Sequence, residues 1–493
     1  MTVTSAIFLL AAIAAALLWH WLPEKLRKYW LLVVSLGFLA TWSWKFILVL
    51  GVLTLVNYQL GLFAHPKNPR SRRWVVAGIV IDILALFVFK YSNFYLPEAQ
   101  KLLASLGLPL SDGFQILLPV GLSFLVVQWI SYLVDVGNQM LPPQRDLVKF
   151  SLYAFYFPRL LSGPVERARV FFPRLDNPLK VDRALIERSV VLIFTGLLRK
   201  LVFADPMFNM IPANAFTDPS KYAGQHLFLF LLAFGFALYN DFAGYTMIVR
   251  GVSLWFGIEL TNNFNLPYLS RNFSEFWTRW HISLSNWLRD YIYFPLSWKL
   301  NKLNANQKAF FNFVLPPMVT LFVSALWHGL SWNMLLWGGL HGLYLVAERV
   351  PSLFKTQKPM HEHPRWRQNL GIGATFTFAM LAWVPFKTSV FNTLVYWQSM
   401  FDWDKPDFFL LKRVLKGKTL LLTWTAFDIP NPILCLVLAL AMLFDLLQNH
   451  SREETFIQKW PLWAQVLLIV ILMLVVVLSA FTHQLAPFVY QNF

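Results

Sequence analysis

The stretch VTLFVSALWHGLSWNMLLWGGLHGL, residues 319–343, decides the fold class of this chain. It is almost wholly apolar, and it contains no Asp, Glu, Lys or Arg. A helix needs about 20 apolar residues to cross the hydrocarbon core of a bilayer. The stretch covers the end of one predicted span, at 309–330, and the start of another, at 333–348. We therefore expect helices that cross a membrane.

The composition of the whole chain agrees with this interpretation. Hydrophobic residues make up 57% of the 493 residues and charged residues only 14%, whereas about 25% of the residues of a typical soluble protein are charged. A water-soluble protein could not bury that much apolar surface. Composition therefore predicts an integral membrane protein.

Apolar runs of spanning length recur along the chain. They are continuous rather than alternating, which favours a helical bundle over an outer-membrane barrel. We expect an all-α polytopic bundle of about 11 spans, together with short re-entrant or interfacial helices. The clear candidates are 4–22, 29–48, 74–95, 116–136, 226–252, 309–330, 370–386, 431–448 and 463–482, and the weaker ones are 46–64, 150–164, 189–204 and 333–348.

The formal net charge of +17 comes from basic residues in short segments between apolar runs, such as 23–28 and 65–73. Such segments usually mark the cytoplasmic side of a membrane protein, so we expect contact with the lipid bilayer and no nucleic-acid partner. The run from Ile7 to Leu22 is predicted to be a retained first span rather than a cleaved signal. The single cysteine, Cys435, excludes an intramolecular disulfide.

The most informative segment is SRNFSEFWTRWHISLSNWLRDYIYFPL, residues 270–296. Asn272 and Glu275 have capping-box spacing, Glu275 and Arg279 form an i,i+4 ion pair, and Pro295 closes the segment. The pattern predicts one amphipathic helix. Such a helix is typical of an interfacial element with an aromatic belt and a basic rim.

Two histidines suggest chemistry. His281 lies in this predicted helix, and His328 lies deep in an apolar run, where an ionisable side chain is costly and usually functional. Neutral imidazole can accept a proton from an alcohol or a thiol. His341 is either a third polar group of the same site or, as we favour, a histidine that bonds a neighbouring helix.

Other chemistries lack their motifs. The chain has no GxSxG nucleophile elbow, no phosphate-binding Walker loop and no GxGxxG fingerprint. We interpret the segment 361–363, His-Glu-His, as a solvated loop, so no metal site is predicted. The intramembrane acids Asp82, Asp135 and Asp241 could orient a histidine, line a polar cavity or be paired structurally.

Several ordered segments resemble the membrane-bound O-acyltransferase family, in its bacterial alginate O-acetyltransferase branch. Its most specific signatures are RNFSEFWTRWHISLSNWLRDYIYFPL and ALWHGLSWNMLLWGGLHG, at 271–296 and 325–342. The resemblance implies a single membrane domain over 1–493, with the most family-specific core at 116–349, and helices that surround a polar tunnel. Further similar segments are LPVGLSFLVVQWISYLVDV at 118–136, FYFPRLLSGPVERARVFFPRL at 155–175 and DFAGYTMIVRGVSLWFGIELTNNFNLPYL at 241–269.

The resemblance also implies a reaction, the transfer of an acyl group to a hydroxyl or to an acceptor protein. The family's tunnel histidine falls on His328, as general base. Its second histidine falls on His281, which would hold the thioester carbonyl or orient the acceptor. The basic rim of Arg271, Arg279, Arg289 and Lys302 would attract the phosphates of the donor, or would anchor the chain at the lipid headgroups. Trp280 and Asp290, the chain neighbours of Arg279 and Arg289, complete the predicted substrate-binding residues.

The implied donor is acetyl-CoA, a co-substrate rather than a bound cofactor. The implied acceptor is an exported polysaccharide such as alginate, reached directly or through a periplasmic partner protein, which places the chain in the bacterial inner membrane. Two other functions stay open. One is D-alanyl transfer to a cell-envelope polymer, since teichoic-acid D-alanylation proteins share both motifs, and the other is a proton-coupled transporter or export channel.

Overall fold

The computed structural model describes residues 2–65, 67–106, 116–302, 305–354, 359–403 and 431–482. Within these ranges the chain is helical or irregular and has no strand. The predicted all-α fold class is therefore confirmed.

The described residues fall into two compact units. The first contains those up to Thr195, Tyr245–Asn262 and the end of the last helix. Its core includes Trp129 and Tyr132 of α6, both fully buried. Its helices are α1 (Ala6–Trp21), α2 (Glu24–Ala40), α3 (Trp44–Phe63), α4 (Ser71–Lys90), α5 (Ser92–Ser105), α6 (Leu122–Gly137), α7 (Leu147–Phe155), α8 (Ala168–Asp176) and α9 (Arg183–Leu197).

The second unit contains Gly196–Gly244 and the described residues from Asn263 to Val475. All the histidines singled out above lie in it. Its elements are the π-helical turn π1 (Leu198–Ala204), α10 (Asp205–Met210), the first part of α11 (Gly224–Leu254), α12 (Phe273–Arg279), α13 (Ile282–Leu288), the π-helical turn π2 (Arg289–Tyr293), α14 (Phe294–Leu300), α15 (Ala305–His328), α16 (Trp332–Phe354), α17 (Arg365–Lys387), α18 (Val390–Ser399), α19 (Pro432–Ser451) and most of α20 (Leu462–Thr482).

Five helices of the described residues are long and apolar enough to cross a membrane: α3, α11, α15, α17 and α19. A sixth results if the bent pair α4 and α5 counts as one span. The protein is thus a multi-pass membrane protein, and the number of about 11 spans stays a prediction. In α11, 89% of the apolar window is buried, against 28% in α3, so α11 is a core helix whereas α3 has a large exposed face.

Two predicted spans are wrong. The span at 29–48 is two helices, because the chain breaks between Ala40 and Trp44, where the Ser43 hydroxyl accepts a hydrogen bond from the Lys45 backbone N–H. The span at 150–164 ends at Phe155. Pro158 follows within three residues, and a proline disfavours the helical conformation in the residue before it.

The single helix predicted over 270–296 is also wrong. The structure divides it into α12, α13, π2 and the start of α14. The predicted cap is present, since the Asn272 side chain accepts from the Glu275 backbone N–H at 2.7 Å. Pro295 does not end a helix but lies in the first turn of α14, where proline has no intrahelical donor to lose.

Candidate active site

The break between α12 and α13 falls on His281. This residue has φ 42° and ψ 54°, in the left-handed region, where a residue other than glycine costs about 1–3 kcal/mol. Such strain persists only where surrounding contacts enforce it, and it is concentrated at functional sites.

The contacts that enforce the break come from a segment about twenty residues earlier. The Asn263 carbonyl accepts from the Ile282 backbone N–H at 2.9 Å, and the Asn263 side chain accepts from the Ser283 hydroxyl at 2.6 Å. On the other side of the break, the Asn265 N–H donates to the Arg279 carbonyl at 3.0 Å. Because the chain is held on both sides of His281, its backbone has no freedom to relax into one continuous helix.

The His281 side chain is directed into aromatic packing and is 1% exposed. Its ring lies edge-on to Phe242 of α11, with the centroids 4.8 Å apart, and 6.1 Å from the ring of Trp327. The residue is therefore an internal side chain and not part of an interfacial helix that lies on the surface.

His328 is the last residue of α15 and is 5% exposed. Its ring contacts those of Trp327, Trp337 and Phe386, at centroid distances of 4.9, 5.3 and 5.4 Å. His281 and His328 thus both contact Trp327. Two histidines that lie 47 positions apart in the sequence are brought to one indole ring.

The position of His328 depends on the packing of α15 against α16. A β-carbon at Gly338 would lie 2.7 Å from the Leu321 carbonyl oxygen and 2.7 Å from the Ala325 β-carbon. Gly342, four residues later, faces Met318. Small residues at this spacing let two membrane helices approach closely, and the approach places Trp337 against His328.

The other predicted substrate-binding residues are found in pairs. Arg279 donates to Glu275 at 2.6 Å, as predicted, and Arg289 donates to Asp290 at 2.9 Å on π2. Trp280 is 2% exposed and packs 4.8 Å from the Trp383 ring. Arg289 is the more accessible arginine, with 48% of its side chain exposed against 21% for Arg279.

Each of the three intramembrane acids has a protein partner. The Asp82 carboxylate accepts from Asn57 at 2.8 Å, Asp135 lies 3.9 Å from Arg169, and Asp241 lies 2.6 Å from Lys200. These contacts agree with the structural interpretation of the acids.

His361 and Glu362 are exposed and lie in a 3₁₀ turn, Met360–Glu362, and the half-buried His363 follows it. His361 Nε2 is 3.9 Å from the Glu362 carboxylate. Among the residues that the structure describes, no three His, Cys, Asp or Glu side chains are placed to hold a metal ion.

The sequence model of the membrane-bound O-acyltransferase family matches residues 112–390. The chain belongs to this family. The match contains the predicted family-specific core 116–349 and both histidines, so the protein is a membrane-bound acyltransferase. The prediction of one domain over the whole chain stays a prediction.

Relatives of this O-acyltransferase are named for different polymers. It is 32% identical over 403 residues to the "Probable alginate O-acetylase" of Azotobacter vinelandii, covering 79% of this chain and 76% of that protein. It is 30% identical to the peptidoglycan O-acetyltransferase of Helicobacter pylori, covering 73% and 71%. It is 26% identical to the teichoic acid D-alanyltransferase of Bacillus subtilis, covering 67% and 82%.

One buried network of this O-acyltransferase, which joins π1 to α11 and α19, was not predicted from the sequence. Arg199 donates to Asn240 at 2.7 Å and to Asp445 at 2.8 Å, and the next residue, Lys200, pairs with Asp241. All of these side chains are buried. The LYND segment of α11 was the available signal, but its basic partners lie 41 positions away, so residue spacing alone could not reveal them.

Proposed function

We propose that this acyltransferase moves an acetyl group from acetyl-CoA, at the cytoplasmic face of a bacterial inner membrane, to a hydroxyl of an exported polysaccharide such as alginate. The observation that carries the proposal is the pair of buried histidines, His281 and His328, that contact one indole ring. Relatives named for O-acetylation of alginate and of peptidoglycan support the acetyl group and the envelope polymer.

His328 acts as general base. A ring nitrogen takes the proton of the accepting hydroxyl while the hydroxyl oxygen bonds to the carbonyl carbon of the thioester. The C–S bond then breaks, and the departing thiolate receives that proton. A positioned base of this kind contributes about 10²–10⁴-fold in rate. His281, held in its strained conformation, orients the accepting hydroxyl.

Arg289 is the first contact for the donor phosphates, because nearly half of its side chain is exposed and a cation attracts phosphate. Arg279 adds positive charge, although Glu275 already holds it. Asp290 pairs with Arg289, Trp280 follows Arg279 in the chain, and both stay predicted substrate-binding residues. The polysaccharide is reached directly or through a periplasmic partner protein, and no cofactor stays bound.

The test measures the release of free CoA thiol from acetyl-CoA by the purified protein in lipid nanodiscs, with alginate oligosaccharide as acceptor. We compare the wild type with His328→Ala, and use His450→Ala, at an exposed position near the end of α19, as the matched control. Thermal unfolding of each variant establishes that it is folded.

We expect His328→Ala to lose at least 10²-fold in thiol release with an unchanged melting temperature, and His450→Ala to match the wild type. Thiol release by His328→Ala at the wild-type rate would exclude His328 as the base. A wild type that releases no thiol from acetyl-CoA but consumes a D-alanyl thioester would replace the acetyl donor with an aminoacyl donor.

A further inference from the structure

A third histidine of the second unit lies within a group of tryptophans. The His341 ring is 5.2 Å from the ring of Trp277, 5.1 Å from that of Trp337 and 6.4 Å from that of Trp383. Trp337 in turn lies 6.0 Å from Trp277 and 6.3 Å from Trp383. We name these four side chains the indole cage.

The indole cage contains polar atoms that the protein does not satisfy. Among the described residues, neither ring nitrogen of His341 has a hydrogen-bond partner, and neither do the indole nitrogens of Trp277, Trp337 and Trp383. All of these atoms are buried, and His341 is 0% exposed. Buried donors are almost always paired in folded proteins. None of the described residues supplies that partner, so these atoms are open to hydrogen bonds with a bound molecule.

The indole cage adjoins the proposed base. Trp337 contacts His328 at 5.3 Å and His341 at 5.1 Å. Trp337 and His341 are four residues apart on α16, where side chains at this spacing share one face of a helix. A group bound in the indole cage would therefore be separated from His328 by the Trp337 ring.

The chemistry of the cage selects its ligand. An indole nitrogen donates a hydrogen bond and cannot accept one, and a neutral imidazole offers one donor and one acceptor. An oxygen atom with two lone pairs can accept hydrogen bonds from two such donors. The acyl thioester of the proposed reaction carries such an oxygen, its carbonyl oxygen, and this oxygen becomes negative when the acceptor adds to the carbonyl carbon.

We propose that the indole cage binds the carbonyl oxygen of the acyl group and stabilises its negative charge during transfer; this rests on the proposed function. As the acceptor oxygen bonds to the carbonyl carbon, the π electrons of the C=O bond move to the oxygen held by the cage. When the C–S bond breaks, these electrons return and the carbonyl re-forms. The cage exchanges no proton, because the proton passes through His328 from the acceptor to the thiolate.

In the kinetic test, two substitutions remove a hydrogen-bond donor and keep an aromatic ring at the same position. Trp337→Phe deletes one indole N–H, and His341→Phe deletes the imidazole donor, whereas His341→Gln keeps a donor and an acceptor. Trp332→Phe is the matched control, because it makes the same change at an exposed position on the same helix. The assay measures kcat and KM for thiol release from acetyl-CoA in nanodiscs.

We expect kcat to fall by about 10²-fold in Trp337→Phe and in His341→Phe, the loss that follows removal of one donor to an oxyanion, with KM nearly unchanged. His341→Gln should recover most of kcat, and Trp332→Phe should match the wild type. Cage variants with lowered melting temperatures but wild-type kcat would show a packing role and overturn the proposal.

A spectroscopic test detects the hydrogen bonds to the carbonyl oxygen in the absence of turnover. Acetyl-CoA with a ¹³C-labelled carbonyl is bound to the His328→Ala protein, and its carbonyl stretch is measured by difference infrared spectroscopy. We expect the band to shift to lower frequency on binding, and the shift to shrink when Trp337→Phe is added. An unshifted band would show that the cage does not bind the carbonyl oxygen, and would overturn the proposal while leaving acetyl-CoA as donor. A wild type that uses no thioester would instead overturn the proposed function.

Discussion

The packing of α15 against α16 can be tested with a single methyl group. In Gly338→Ala the new β-carbon would lie 2.7 Å from the Leu321 carbonyl oxygen and 2.7 Å from the Ala325 β-carbon. No rotamer change can relieve contact with a backbone atom, so the two helices have to separate. In Gly339→Ala the nearest atoms belong to the Phe322 ring at 3.7 Å, an ordinary contact distance.

The comparison of these two variants isolates the cost of the clash. Both gain about 1 kcal/mol because alanine favours a helix over glycine, and this gain cancels between them. Overpacking costs about 1–3 kcal/mol, so we expect Gly338→Ala to be less stable than Gly339→Ala by this amount. Gly342→Ala should fall between them, because the nearest atom is the flexible Met318 sulfur at 2.7 Å.

The assay is reversible unfolding in detergent, followed by thiol release from acetyl-CoA. Because Gly338 is next to Trp337, which contacts His328, separation of the helices should also lower the turnover of Gly338→Ala but not that of Gly339→Ala. Equal stability of the two variants would refute the close helix contact. If the two variants differ in stability but turn over equally, the position of His328 does not depend on this helix contact.

Two further predictions concern charged side chains. Lys200→Met leaves the buried Asp241 carboxylate without its cation and should cost about 3–5 kcal/mol of unfolding free energy. Unfolding in detergent should show that adding Asp241→Asn recovers part of this stability. If it recovers none, the result would count against the ion pair. Burial raises the pKa of Asp146, but the hydrogen bonds from Lys28 and from backbone N–H groups outweigh it and hold that pKa below its usual value. This stabilisation is present above the unfolded pKa of about 3.9 and is lost as the pH falls through the folded pKa. The melting temperature of Asp146→Ala should therefore lie below that of the wild type at pH 7, and the difference should shrink below pH 4. A difference that stays constant with pH would contradict this prediction.

The sequence alone was sufficient for the fold class and for the family to which the chain belongs. The length and apolarity of a run are local properties, and they predict a membrane helix wherever about 20 such residues occur. The cap at Asn272 and the ion pair between Glu275 and Arg279 depend on residues three and four apart, so both were predictable and both are present. The two histidines stood out because they lie among apolar residues.

Only the tertiary structure decided how the candidate active-site residues are arranged. The break at His281 depends on hydrogen bonds that Asn263 accepts and Asn265 donates, and residue patterns within 270–296 carry no trace of these partners. The contact of both histidines with Trp327, and the indole cage around His341, likewise join residues from separate helices. Local periodicity determines which segments become helices, whereas long-range hydrogen bonds and packing determine where those helices break and which side chains meet.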